Sequence, residues 1–361
     1  MRFLWVVWSI FLIGCAAQPE VEPLPATDVG AVELRMAQQR TGGLNVAIQV
    51  FDTVDTPTST IYVAASQVRE VERRYLPYLL KQTLDRSGYW GAVRVLPRRD
   101  PSAEINIVAT ITESSGTALG LQVLVTTATG DVWLDRSYRD VGNSSDYATD
   151  PNYILDPFQD IYSSIANDMA LELFKQSEDE RQSLIDAALM VYGQELSPVV
   201  FSRYIEAGDN GYAVSALPAR DDPMLANLLR IRDAEYLFAD SVDAHYEKLY
   251  RTVGPTYAWW RFYNYELLAG NERLAKIDAT RGATKGSWYA MERVYKTFRE
   301  AKMNQDALRE LSESFSRETE ATRASVSGRV VELSGSLDQQ YETWRRLLKA
   351  MYDEEMAPIV R

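Results

Sequence analysis

The chain has 361 residues, 46% of them hydrophobic and 25% charged, which is ordinary globular material long enough for about two domains. Its 51 acidic and 38 basic residues leave a formal charge of −13, a poor surface for nucleic acid. One histidine and one cysteine are too few to build a metal centre from imidazole and thiolate, which excludes zinc hydrolases of the usual ligand types.

The first predicted element is a short leader. Arg2 precedes Phe3 to Ile13, an apolar run broken only by Ser9. A spanning helix needs about 20 apolar residues, so this run has the proportions of a signal-peptide core instead. It ends in Leu12-Ile13-Gly14-Cys15, which resembles the bacterial lipobox. The resemblance implies that residues 1–14 are a cleaved lipoprotein signal peptide and that Cys15 is acylated, making the lipid bilayer the first partner. Ala16 and Ala17 follow the cysteine where an aspartate does not, and by the same resemblance this implies the outer membrane, with the periplasmic face as the default. In an oxidising compartment Cys15 has no second thiol to pair with. Residues 15–32, with Pro19, Pro23 and Pro25, read as a lipidated tether reaching at most about 3.1 Å per residue.

Residues 33–177 read as an α+β domain, an antiparallel sheet with helices on one face. The alternation of Val46, Ile48 and Val50 predicts a strand. Val68, Val71, Tyr75, Leu79 and Thr83 recur at helical spacing, Gly88 supplies a stop, and Pro77 should kink this helix or mark its true start. Four strand candidates follow between residues 91 and 140, separated by Asp-Pro, Ser-Gly and Thr-Gly-Asp turns. A closing helix opens with Asp156 as N-cap and Pro157 as its first residue.

The stretches YLLKQTLDRSGYWGAVRVLP, INIVATITESSGTALGLQVLVTTATGDVWLDRSY and DPFQDIYSSIANDMA resemble the TolB amino-terminal-like domain of envelope lipoproteins, such as the outer-membrane activators of peptidoglycan synthases. The likeness covers about residues 44–175 and concerns the pattern of elements. It implies a docking module without catalysis, and no site residue is carried over from it.

Residues 178–361 read as a mostly helical domain. GDNG at 208 is a turn. Asp222 and Pro223 open a helix of about thirty residues that Gly254-Pro255 should stop or bend. Two more helices follow, then a small hairpin at about 324–334, and Ser336 to Gln339 forms a capping box for the last helix.

Chemistry has little to work with in this chain. No Gly-x-Ser-x-Gly elbow accompanies His245, which reads as a hydrogen-bonded helix histidine, and no spacing singles out a catalytic pair among the acids. No catalytic, cofactor-binding or metal residue is therefore assigned, and no cofactor is expected. The unusual feature is aromatic density after residue 245. Tyr246, Tyr250, Tyr257 and Trp260 share one helical face and read as core, whereas Trp259, Phe262 and Tyr263 point elsewhere and are the candidate partner-binding residues. The expected function is a non-catalytic adaptor or scaffold in cell-envelope biogenesis, with an envelope protein as partner. A carboxylate-based hydrolase or lyase acting on peptidoglycan, and an auxiliary lipoprotein of a lipid transport system, are the alternatives.

Overall fold

The computed structural model describes residues 27–39, 43–54, 65–143, 146–147, 156–208, 211–281, 288–317, 322–326 and 329–356. The lipobox and Cys15 lie outside them. Six strands build one sheet: β1 (Val46–Gln49), β2 (Asp52–Thr53), β3 (Val93–Leu96), β4 (Ile105–Ser114), β5 (Ala118–Thr127) and β6 (Val132–Val141). Their order is β3-β1-β4-β5-β6, with β2 beside β4. The fold is α+β, with helices against the sheet and a helical remainder. The expected antiparallel pairing holds for β4, β5 and β6, but β1 pairs in parallel with both β3 and β4. The cause is α1 (Ala65–Ser87), which carries the chain back across the sheet before β3 begins, so that β3 must run the same way as β1. Alternation on β5 marks the covered face: Leu121, Val123 and Val125 are buried, Gln122, Leu124 and Thr126 only half so.

Pro77 does not mark the start of α1; it lies inside the helix. Its missing N–H leaves the Arg73 carbonyl without an intrahelical donor. The N–H of Phe51 takes that place at 2.9 Å, and the Arg73 guanidinium Nε donates back to the Phe51 carbonyl at 2.9 Å. The proline thus opens the point at which α1 is fastened to the chain leaving β1. Gly88, at φ +76°, ends the helix as expected.

The next helix, α2 (Gln159–Lys175), begins later than expected. Asp156 caps a preceding turn, its carboxylate accepting the Phe158 N–H at 2.9 Å and its carbonyl the Gln159 N–H at 3.1 Å. Ser177 and Glu180 then form a capping box for α3 (Glu178–Leu196), followed by α4 (Pro198–Phe201). β7 (Ile205–Gly208) and β8 (Gly211–Val214) flank the expected turn.

The largest departure is α5 (Pro223–Arg281), a helix of 59 residues that runs through Gly254-Pro255. At 1.5 Å per residue it is about 90 Å long. A proline in a helix interior costs about 3 kcal/mol, while full burial of one large apolar side chain contributes roughly 1.5–3 kcal/mol. Val253, Tyr257 and Trp260 are all buried on either side of Pro255, so packing outweighs the break. Helix α6 (Trp288–Arg317) runs back beside α5; β9 (Thr322–Val326) and β10 (Arg329–Leu333) make the expected hairpin. The capping box holds for α7 (Leu337–Met356), with the Ser336 N–H on Gln339 Oε1 at 3.0 Å and the Gln339 N–H on Ser336 Oγ at 3.3 Å. One buried cluster takes side chains from both sides of residue 177, from Leu44 through Tyr352.

Of residues 15–32, expected to form a tether, those before 27 lie outside the described residues. Residues from Asp28 are held on the body: Val29 N–H bonds to the Arg139 carbonyl of β6, Val32 N–H to Asp160 and Arg35 N–H to Asn167 of α2, and Ala37 N–H to the Ser87 carbonyl of α1. An extended chain has no local partners for its amides, and the carboxamide and carboxylate side chains of α2 supply them.

Candidate functional site

Helical spacing sets Trp259, Phe262 and Tyr263 on one face of α5, and the structure brings all three together. Trp259 stacks with Tyr263 at 5.9 Å between ring centroids and meets Phe262 edge-on at 6.0 Å, while Phe262 and Tyr263 are 5.5 Å apart. Trp259 is 42% exposed, and the other two are half-buried. The opposite face is core, as expected for Tyr246, Tyr257 and Trp260; Tyr250 is half-buried, stacked on Tyr75 at 5.1 Å.

Beneath the aromatic cluster lies a polar centre that no pattern in the sequence singled out. Arg261 and Glu72 are each only 1% exposed and pair at 3.0 Å between Nη2 and Oε1. Nη2 also donates to Ser114 Oγ at 2.8 Å, Nε to the Tyr257 hydroxyl at 2.7 Å, and Nη1 to the Ser115 carbonyl. Ser114 and Tyr257 each donate to the same Glu72 oxygen, at 2.6 and 2.9 Å. Burial alone would lower the Arg261 pKa, but Tyr257 and Glu72 outweigh it and hold the guanidinium protonated above its ordinary range. The rings of Phe158, Tyr257 and Trp260 enclose the cation. A charge so fully paired is fixed in place: it joins α5 to α1 and to the end of β4.

The β4–β5 turn presses against α5 on the side of Arg261. Gly116 lies so close to α5 that a Cβ there would overlap the backbone of Asn264 and Tyr265. Tyr147 donates to the Gly116 carbonyl and stacks on Tyr265 at 4.4 Å. The lone arginine in WWRFY was the available signal for this centre, since a charge amid aromatics needs a buried partner.

His245 is half-buried and donates Nδ1–H to the Ser241 carbonyl at 2.8 Å. Asp243 serves other groups, accepting the Val95 N–H at 2.8 Å and pairing with Lys81 at 3.3 Å. The two residues therefore do not meet. Glu235 of α5 is buried beside Tyr192, and burial together with nearby Asp100 pushes its carboxyl up to about 8. Among the described residues, no group of three or more His, Cys, Asp or Glu is placed to hold a metal ion. Among them, too, no helix is long and apolar enough to cross a membrane.

Recesses open on the described surface, and two of them border the sheet. One of about 590 Å³, at the carboxyl ends of β1 and β3, has Arg73, Arg74, Arg98 and Arg345 in its wall, and these are paired with Asp52, Glu70, Glu342 and Glu195. The other, of about 790 Å³, lies between β6, α2 and the bound segment that starts near Asp28. No protein-family model matches the chain, and no curated protein aligns with it significantly.

Proposed function

We propose that this protein is a lipid-anchored lipoprotein of the outer membrane, facing the periplasm, that acts as a non-catalytic adaptor in cell-envelope biogenesis. The observation that carries the reading is the sequence Leu12-Ile13-Gly14-Cys15, which closes an apolar leader with the only cysteine of the chain. Several acyl chains on one residue bind a membrane durably, at about 0.8 kcal/mol per buried methylene. The resemblance of residues 44–175 to the TolB amino-terminal-like domain supports a docking role, and the exposed cluster of Trp259, Phe262 and Tyr263 offers the kind of surface on which partners are held.

The test has two parts. Cys15→Ser should abolish labelling by a palmitate probe and leave an unprocessed precursor, because serine cannot replace the thiolate in acyl transfer. Crosslinked envelopes should then yield one stoichiometric protein partner on pull-down, with Trp259→Ala reducing its recovery. Release of soluble product from purified sacculi would replace the adaptor with a glycan-acting enzyme.

A further inference from the structure

The segment that begins at Asp28 settles on a group of carboxylates. Asp140 on β6 is 5% exposed, and its Oδ2 has no hydrogen-bond partner among the described residues. Asp160 in the first turn of α2 faces it and accepts the Val32 N–H at 2.9 Å. Asp28 approaches from the segment itself, its own carboxylate accepting the Gly30 N–H at 3.2 Å, and Asp146 approaches from the loop after β6. Arg139, the residue before Asp140 on β6, is itself paired with Glu113 at 2.7 Å. A favourable contact to the ionised form comes from the Ile161 N–H at the start of α2.

We propose that protonation of Asp140 controls the docking of residues 28–37, so that the link between the lipid anchor and the body lengthens as pH rises. Burial first, then Asp160 and Asp28, push the Asp140 carboxyl up to about 7. Departure of the segment would remove Asp28 and admit water, so the proton is held more tightly when the segment is docked. Docking is therefore favoured at low pH, weakens as pH rises toward about 7, and changes little above it. A single linked proton changes such an equilibrium by at most about tenfold per pH unit. The role as a tether rests on the proposed acylation of Cys15, but the switch itself does not.

Hydrogen exchange on the full chain, read as protection factors for the amides of Val29, Val32, Arg35 and Ala37 at pH 5.5, 7.0 and 8.5, tests it. Protection should fall several-fold or more across this range, and Asp140→Asn should hold it high and flat. Asp28→Asn, at an exposed position, should make the fall smaller and end it at lower pH, because it removes a charge that raises the Asp140 carboxyl in the docked state, and it serves if Asp140→Asn folds poorly. Protection that stays constant with pH in the natural chain, or that falls identically in the Asp140→Asn or Asp28→Asn variant, would overturn the proposal. Loss of palmitate labelling would remove the anchor and leave this result standing, so the two failures are separable.

Discussion

At the scale of single residues, Arg261 and Glu72 decide more than their number suggests. Removing one member of a buried ion pair strands the other, at a cost of about 3–5 kcal/mol, whereas replacing both with apolar side chains of similar volume is often neutral. Arg261→Met should therefore lower stability by about that amount in urea unfolding, and adding Glu72→Met should restore much of it. Glu235 makes a pH-dependent contribution. Its carboxyl rises from 4.5 to about 8 on folding, so the folded chain keeps a proton that the unfolded chain releases between those values. The stability present below about pH 4.5 is then lost as pH approaches 8, by up to about 1.4 kcal/mol per unit. Glu235→Gln lacks this loss, and its melting temperature relative to the natural chain should increase from pH 5 to pH 8. The aromatics divide similarly: Tyr257→Ala should cost about 3–5 kcal/mol, and Trp259→Ala little. Equal losses in thermal melts would mean that Trp259 serves packing.

Among the elements, those with strong periodicity and a capping signal were legible in the sequence. The start of α5 is an example: Asp222 accepts the Met224 N–H at 2.8 Å, just ahead of Pro223. The Ser336 and Gln339 box before α7 and the late hairpin are others. What local rules could not supply was the outcome of competition with distant packing. Pro77 and Pro255 both carry break signals, and both lie inside helices because Phe51 satisfies a carbonyl in one case and buried side chains outweigh the break in the other. The parallel pairing of β1 was hidden for a related reason, since strand direction follows the return path of α1 and leaves no trace in alternation. The aromatic face of the candidate site was readable from spacing along one helix. Its buried foundation was not, because Glu72, Ser114 and Arg261 come from three separate elements. Gly116→Ala tests the contact between two of those elements. The added methyl has to displace the β4–β5 turn from α5, and about 1–3 kcal/mol of destabilisation is expected in denaturant titration.

For the molecule as a whole, the continuous core across residue 177 predicts cooperative behaviour. Tyr75 and Tyr78 of α1 pack on Tyr250 of α5, and Glu72 has its charge partner there. A fragment ending at residue 177 would expose these rings and leave the Glu72 carboxylate unpaired. Calorimetry of the full chain should give a single transition for the sheet and the amino-terminal part of α5, and the fragment should lack a cooperative melt. Two well-separated transitions in the full chain would instead indicate independent halves.

The bound segment also determines how the molecule answers a pull. Among the described residues, load applied from the amino-terminal side, as through the proposed anchor, reaches the bonds of the Asp28 segment first, and those to Arg139, Asp160, Asn167 and Ser87 follow one another along the chain. Peeled in sequence, they yield singly at low force, whereas β1 lies inside the sheet between β3 and β4 and shares the load across two neighbours. In an optical trap the chain should first lengthen by roughly 35 Å, the contour of the residues from Asp28 to Ala37, before the sheet ruptures. The segment is a mechanical fuse: under load from its amino-terminal side it yields while the fold behind it stays intact.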